Sequence, residues 1–115
     1  MKLIYILVDK IPVPCDDVIE WAQWMENADR HVCSTNVGGY RVSTVFLGLR
    51  VSMGDNPPLF ETLSFAADSA SQEPLTPALL GIQARYRTWK EAEEGHEKIV
   101  RHIETTANVV RTPDA

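Results

Sequence analysis

The chain has 115 residues, 44% of them hydrophobic and 23% charged, values typical of a folded domain that needs neither metals nor disulfides to hold its core. Its 16 acidic and 11 basic side chains give a net charge of -5 without a cluster of Lys and Arg, which argues against direct binding to nucleic acid. Only two cysteines, Cys15 and Cys33, are present, and no CxxC motif or second Cys/His pair has the spacing of metal ligands, which argues against a zinc site or a disulfide framework. The apolar start is too short for a signal peptide or a membrane span. We therefore expect a cytoplasmic protein with no metal, no cofactor and no membrane partner.

The first third of the chain predicts a strand, a short extended piece and a helix. Residues 3 to 8 are rich in β-branched and aromatic side chains and predict a strand that is buried on both faces or lies at the centre of a sheet. Pro12 and Pro14 restrict the piece that follows to an edge or a loop. Asp17 and Glu20 form a capping box that starts the helix. The predicted apolar stripe of this helix consists of Val18, Trp21, Ala22, Met25 and Ala28, with Ile19 and Trp24 on its flanks.

The middle of the chain predicts three strands. Gly38-Gly39 suits the positive φ angles of a two-residue hairpin turn between residues 31–37 and 40–51. Residues 42–49 are apolar on both alternations, which predicts the central strand of the sheet. Residues 59–65 predict another strand. We expect the inward face of that strand to carry Leu59, Glu61, Leu63 and Phe65.

The last third predicts a long loop and a helix. Residues 66–85, rich in Ala, Ser, Gln and Pro, predict the loop. Thr88 and Glu91 form a capping box that starts a helix ending near Thr105, and residues 107–115 predict a flexible tail. One face of this helix collects Trp89, Ala92, His96, Ile99, Val100 and Ile103. The pattern as a whole predicts one α+β domain over residues 1–106, an antiparallel sheet of about four strands with two helices packed on one face.

Two titratable residues are the candidates for a pocket. His96 lies in the middle of an apolar helix face, and Glu61 occupies a predicted inward position where a hydrophobe is expected. A contact between them would explain both through mutual charge stabilisation. The alternatives are a core histidine satisfied by hydrogen bonds and a Glu61 that faces solvent while Phe60 faces the core. Because no nucleophile, phosphate-binding loop or third carboxylate accompanies the pair, we assign no catalytic residue and expect no enzyme.

Two further patterns mark candidate partner-binding residues. Three carboxylates, Glu93, Glu94 and Glu97, fall on the solvent side of the last helix. Trp24 is expected to pack in the core, but an exposed Trp24 would be an aromatic anchor on an acidic surface. No third ligand accompanies His31 and Cys33, so this face is not assigned as a metal site.

Several separated segments resemble, in the same order, a family of small uncharacterised proteins encoded by bacteriophages and prophages. The segments are VSTVFLGL (residues 42–49), LFETLSF (59–65) and YRTWKEAEEGH (86–96), with shorter matches at residues 12–16 and 21–26. The resemblance covers most of residues 4–102 and brings no established activity or catalytic set. In this family pattern the loop after the Phe60 strand is shorter, so the resemblance gives no guide to residues 66–84.

The resemblance implies a small acidic protein that acts by binding a host protein, for example as an inhibitor of a host antiviral system in the manner of anti-CRISPR proteins. An acidic surface would suit a basic nucleic-acid channel on that host protein. One alternative is a small-molecule-binding or enzymatic domain built on Glu61 and His96. Another is a virion or assembly component that forms a homodimer or larger oligomer through an exposed strand edge.

Overall fold

The structure, a computed structural model, describes residues 2–66, 84–107 and 111–112. Its elements run in the order β1 (Tyr5–Val8), β2 (Ile11–Pro14), α1 (Val18–Asn27), β3 (His31–Val37), β4 (Tyr40–Phe46), β5 (Phe60–Ala66), β6 (Ala84–Tyr86), α2 (Trp89–Ala107) and β7 (Arg111–Thr112). Strands β3 to β7 form one antiparallel sheet in the order β6-β5-β4-β3-β7, whereas β1 and β2 form a separate two-stranded hairpin. The predicted α+β class with an antiparallel sheet is confirmed.

The centre of the sheet follows the prediction, with β4 as its middle strand. Gly38 and Gly39 have φ angles of 54° and 82°, so they form the predicted two-residue turn between β3 and β4. The cross-strand pairs on the face towards α2 are Val42–Ser64, Thr44–Thr62 and Phe46–Phe60. The predicted inward face of β5 is therefore wrong for Glu61, Leu63 and Phe65, because strand alternation places them on the opposite face.

Helix α2 supplies the other half of the core. Its capping box forms as predicted: the Glu91 N–H donates to Thr88 Oγ1 at 3.1 Å, and Glu91 Oε1 accepts from the Thr88 N–H at 3.3 Å. The helix then packs on the sheet through two apolar clusters. One contains Tyr5, Phe46, Leu59, Phe60 and Ala92. The other contains Val37, Val42, Ile99, Val100 and Ile103.

The hairpin of β1 and β2 differs from its prediction. β1 is not at the centre of the main sheet; it pairs with β2 through a turn in which Asp9 and Lys10 have φ angles of 51° and 68°. Positive φ at both central residues is the geometry of a type I′ turn, which gives the strands the right twist. Tyr5 and Leu7 pack into the core from this hairpin.

Helix α1 lies at the surface of the protein, and none of its residues is buried. Asp17 caps it, since its Oδ1 accepts from the Ile19 N–H at 2.9 Å and the Glu20 N–H at 3.3 Å. The helix docks through Trp21, whose indole N–H donates to the Gly48 carbonyl at 2.9 Å. Val18 is 65% exposed, so the inward stripe begins at Trp21 and not at the predicted Val18.

Two short strands were not predicted from the sequence. β6 lies at the end of the predicted 66–85 loop, and residues 67–83 of that loop are outside the described residues. β7 lies in the predicted 107–115 tail, where it pairs with Asn36 and Val37 of β3. Strands this short carry too few residues for an alternating pattern, so pairing with a neighbour is what defines them.

Candidate functional site

His96 lies at the centre of the interface between α2 and the sheet, in a network of three threonines that we call the His96 network. Its side chain is only 2% exposed. Nε2 lies 2.8 Å from Thr35 Oγ1 on β3, and Nδ1 lies 2.7 Å from Thr44 Oγ1 on β4. Thr44 Oγ1 in turn lies 2.5 Å from Thr62 Oγ1 on β5. The network therefore joins three strands and one helix by side-chain hydrogen bonds.

A neutral imidazole satisfies this network in either tautomer. With the proton on Nε2, His96 donates to Thr35 and accepts from Thr44, which accepts from Thr62. With the proton on Nδ1, His96 donates to Thr44, which donates to Thr62, while Thr35 donates to Nε2. Each hydroxyl rotates to suit, so both ring nitrogens keep a partner. The network is a polar layer between the two apolar clusters, because Ala92 lies in one and Ile99 in the other.

The predicted contact between Glu61 and His96 does not form. Glu61 pairs in the sheet with Val45 and Arg85, on the face opposite to Thr62 and the His96 network. Its Oε2 accepts from Arg85 Nε at 2.8 Å. The alternative is confirmed for Phe60, which faces the core, and is wrong for Glu61, which is buried. The structure holds each residue in a separate arrangement and builds no shared pocket from them.

Tyr86 explains the glycine beside His96. A Cβ at Gly95 would lie 2.5 Å from the Tyr86 hydroxyl oxygen and would overlap the ring. Gly95 is therefore the residue that lets β6 approach α2 closely. Burial raises the pKa of Tyr86 above its ordinary value near 10. Thr62 opposes this rise, although no described atom meets full hydrogen-bond geometry with the hydroxyl.

A groove of about 530 Å³ runs between the edge strand β6 and α2. Tyr86, Gly95 and Ile99 line it together with acidic and basic side chains, among them Glu94 and Lys98. Neither His96 nor Glu61 is among its lining residues. The predicted pocket residues thus do not meet in this groove.

The carboxylates of α2 lie where the helical pattern places them. Glu93 and Glu94 are exposed, and Glu97 is half-buried. Glu94 Oε1 lies 4.0 Å from Lys90 Nζ, and Glu97 Oε1 lies 3.4 Å from Arg101 Nε, so basic neighbours offset part of their charge.

The pKa of the Cys33 thiol responds to the charges of two of these carboxylates. Its pKa is raised from its ordinary value, first by burial and then by the negative charges of Glu93 and Glu97. Cys33 is half-buried on β3. Its thiol is therefore a natural probe for whatever approaches this side of α2.

Trp24 packs against the core and is not an exposed anchor. Its ring meets the ring of Phe46 edge-on, with centroids 5.8 Å apart and planes at 87°. It joins the cluster that contains Tyr5 and Phe60. Trp24 is half-buried against this cluster, so the expected packing is found and an exposed aromatic anchor is not. Its assignment as a candidate partner-binding residue stays a prediction.

No model of a protein family, no curated protein and no solved structure matches this chain. Neither helix of the described residues is both long enough and apolar enough to cross a membrane. Within the same residues, no three side chains of His, Cys, Asp or Glu come together as a candidate metal site.

Proposed function

We propose that this protein is a small phage-type accessory protein that acts by binding a protein of a bacterial host, in the host cytoplasm, as an inhibitor of a host antiviral defence system. In this proposal the carboxylates of Glu93, Glu94 and Glu97 meet a basic surface of the host protein, such as one that holds nucleic acid. The proposed action is binding and not catalysis.

The observation that carries this proposal is the contrast between His96 and the carboxylates of α2. His96, the candidate for chemistry, is sealed and hydrogen-bonded to two threonines. A general base must reach a proton of its substrate, which a histidine in this position does not do without opening the core. Glu93 and Glu94 lie on the surface, where charge complementarity steers association with a basic partner.

The test is recovery of a host protein from bacterial lysate on the tagged full chain at low salt. We expect a partner that is absent from a tag-only control and that is lost as ionic strength rises, because exposed charges are screened. The variant Glu93→Gln/Glu94→Gln/Glu97→Gln should recover less of it, and Glu104→Gln on the same helix serves as the matched control. Recovery of no host protein above the control would end the proposal.

A second readout uses the purified pair. Alkylation of Cys33 should slow when the partner covers Glu93 and Glu97, whereas the buried Cys15 provides an internal reference. An unchanged Cys33 rate in a saturated complex would show that the partner binds elsewhere. The anti-defence role itself is tested by phage plating on cells that carry a defence system, with and without the expressed chain.

A further inference from the structure

The outer side of the β1–β2 hairpin exposes a group of apolar side chains that we call the hairpin face. Cross-strand pairing places Val8 opposite Ile11 and Ile6 opposite Val13, so these four side chains share one side of the hairpin. The other side carries Tyr5 and Leu7, which pack into the core. Val8, Ile11 and Val13 are 48%, 62% and 36% exposed.

The face extends past β1 on the side away from β2. Ile4 pairs with Leu49 in an isolated antiparallel bridge, held by the Tyr5 N–H to the Gly48 carbonyl and the Arg50 N–H to the Leu3 carbonyl, each at 2.8 Å. Leu49 is itself 42% exposed and shares the side of Ile4. Neighbouring apolar side chains that stay exposed together are one feature by which interaction surfaces are recognised.

The edge of β2 that faces away from β1 is unsuited to pairing with an added strand. The Cys15 N–H donates to the Ile4 carbonyl at 2.9 Å, which sets the alternation of the ladder so that Ile11 and Val13 bond towards β1. Pro12 and Pro14 then fall at the positions whose main chain points away from β1, where they offer no N–H to an added strand. A partner must therefore meet the side chains of the hairpin face and not its edge.

Exposed carboxylates lie at both ends of the hairpin that carries the face. Asp9 is exposed in the turn at one end, and Asp17 is exposed just beyond the other end. Three lysines near the hairpin already have partners. Lys2 pairs with Asp16, Lys10 lies 5.2 Å from the centre of the Trp89 ring, and Lys90, which lines a groove with Ile11, lies 4.0 Å from Glu94.

We propose that the hairpin face holds a segment of a partner protein that carries apolar side chains together with Lys or Arg. The apolar side chains cover Val8, Ile11 and Val13, and the basic ones meet the carboxylates around them. A second copy of this chain would bring the same carboxylates of Asp9 and Asp17 to the interface, where like charges oppose association. The inference rests on the proposed function only in that the ligand is a protein.

The test uses the immobilised full chain and a displayed library of random peptides as the probe. Enriched peptides should combine apolar residues with Lys or Arg. Their affinity should fall at least about tenfold in the variant Val8→Thr/Ile11→Thr/Val13→Thr, because about 1.4 kcal/mol is lost with the apolar contact. Asp9→Asn should weaken binding less and reduce its salt dependence. Met53→Gln, which changes an apolar side chain that is 79% exposed outside the hairpin, should bind as the wild type does.

Several outcomes would overturn the inference. These are enriched peptides without basic residues, equal binding by the threonine variant, an equal loss in Met53→Gln, or no enrichment at all. A dimer in sedimentation that dissociates in the threonine variant would make a second copy the occupant and would also overturn it. The two proposals are tested separately: a host protein that the Glu93/Glu94/Glu97 variant loses and the threonine variant keeps would support the proposed function and count against the hairpin face. A host protein that both variants keep would count against the carboxylates as its binding surface.

Discussion

Two regions of this protein differ in which side chains they bury. We call the interface between α2 and the sheet the buried end, and the β1–β2 hairpin the exposed end. Between α2 and the sheet, a histidine and three threonines are buried, and hydrogen bonds satisfy them. On the β1–β2 hairpin, Val8, Ile11 and Val13 are exposed. Burying polar groups costs free energy unless they are paired, and exposing apolar groups forgoes the main favourable term of folding. The first end is therefore arranged for the fold, whereas the second is not explained by folding alone.

The turns of the two hairpins show the same difference. Gly38-Gly39 adopts positive φ at no steric cost, as expected where a turn serves the central sheet. Asp9 and Lys10 also have positive φ angles, and this conformation costs a residue that has a β-carbon about 1 kcal/mol. The Lys10 ammonium over Trp89 offsets part of that cost. Backbone of this kind persists where the surrounding structure requires it.

The largest expected effect is on the buried end. His96→Ala should lower the free energy of unfolding by about 3 kcal/mol, because it leaves a cavity and removes the partner of Thr35 and Thr44 at once. Urea denaturation measures the change. His102→Ala, an exposed position on the same helix, is the control and should change stability by less than about 0.5 kcal/mol. Equal losses in the two variants would contradict the sealed network.

Gly95→Ala should cost less, about 1 kcal/mol. The new methyl group collides with the Tyr86 ring, which costs about 1–3 kcal/mol, while the gain in helix propensity returns about 1 kcal/mol. The sign should reverse in a Tyr86→Ala background, where only the propensity gain remains. Thermal unfolding of the four proteins of this double-mutant cycle measures the coupling. A loss of equal size in both backgrounds would show that Gly95 serves a purpose other than admitting Tyr86.

The sequence predicted the buried end better than the exposed one. The capping box at Thr88, the Gly38-Gly39 turn and the central position of β4 rest on local chemistry, which a single sequence contains. The inward face of β5 was predicted wrongly because both of its alternations carry apolar residues, Leu63 and Phe65 on one and Phe60 on the other. Only the pairing of Phe60 with Phe46 shows which alternation faces the core. The partners of His96 come from three strands distant in sequence, so no spacing pattern predicts them.

The N-terminal end was misassigned for a physical reason. The apolar run at residues 3–8 looks like a strand with both faces buried, since alternation alone does not tell a covered face from an exposed one. The structure covers the side of Tyr5 and leaves the side of Val8 exposed. A sequence can contain more apolar residues than its fold buries, but only the structure identifies which of them stay exposed.

A smaller effect concerns the pH dependence of the buried end. Burial raises the pKa of Tyr86, so the folded state resists ionisation of the phenol more than the unfolded state does. Its contribution is complete below the unfolded pKa near 10 and is lost as the pH rises through the higher folded value. Urea denaturation at about pH 8 and about pH 10.5 should show a loss in the wild type that is smaller in Tyr86→Phe. A background of Cys33→Ser removes another group whose pKa is raised. Lys2, whose pKa its hydrogen bond and ion pair with Asp16 raise, is present in both proteins, so its effect cancels in the comparison.

The smallest expected effect is on the hairpin face, and it decides the comparison. Val8→Thr, Ile11→Thr and Val13→Thr keep β-branching and thus strand preference, and they replace only apolar surface that already meets water. Each should change the free energy of unfolding by less than about 0.5 kcal/mol. A loss of about 2 kcal/mol or more in any of them would mean that the face is covered within the folded chain. Because the three substitutions together should weaken peptide binding at least about tenfold, unchanged stability together with weakened binding would distinguish a surface kept for a partner from one kept for the fold.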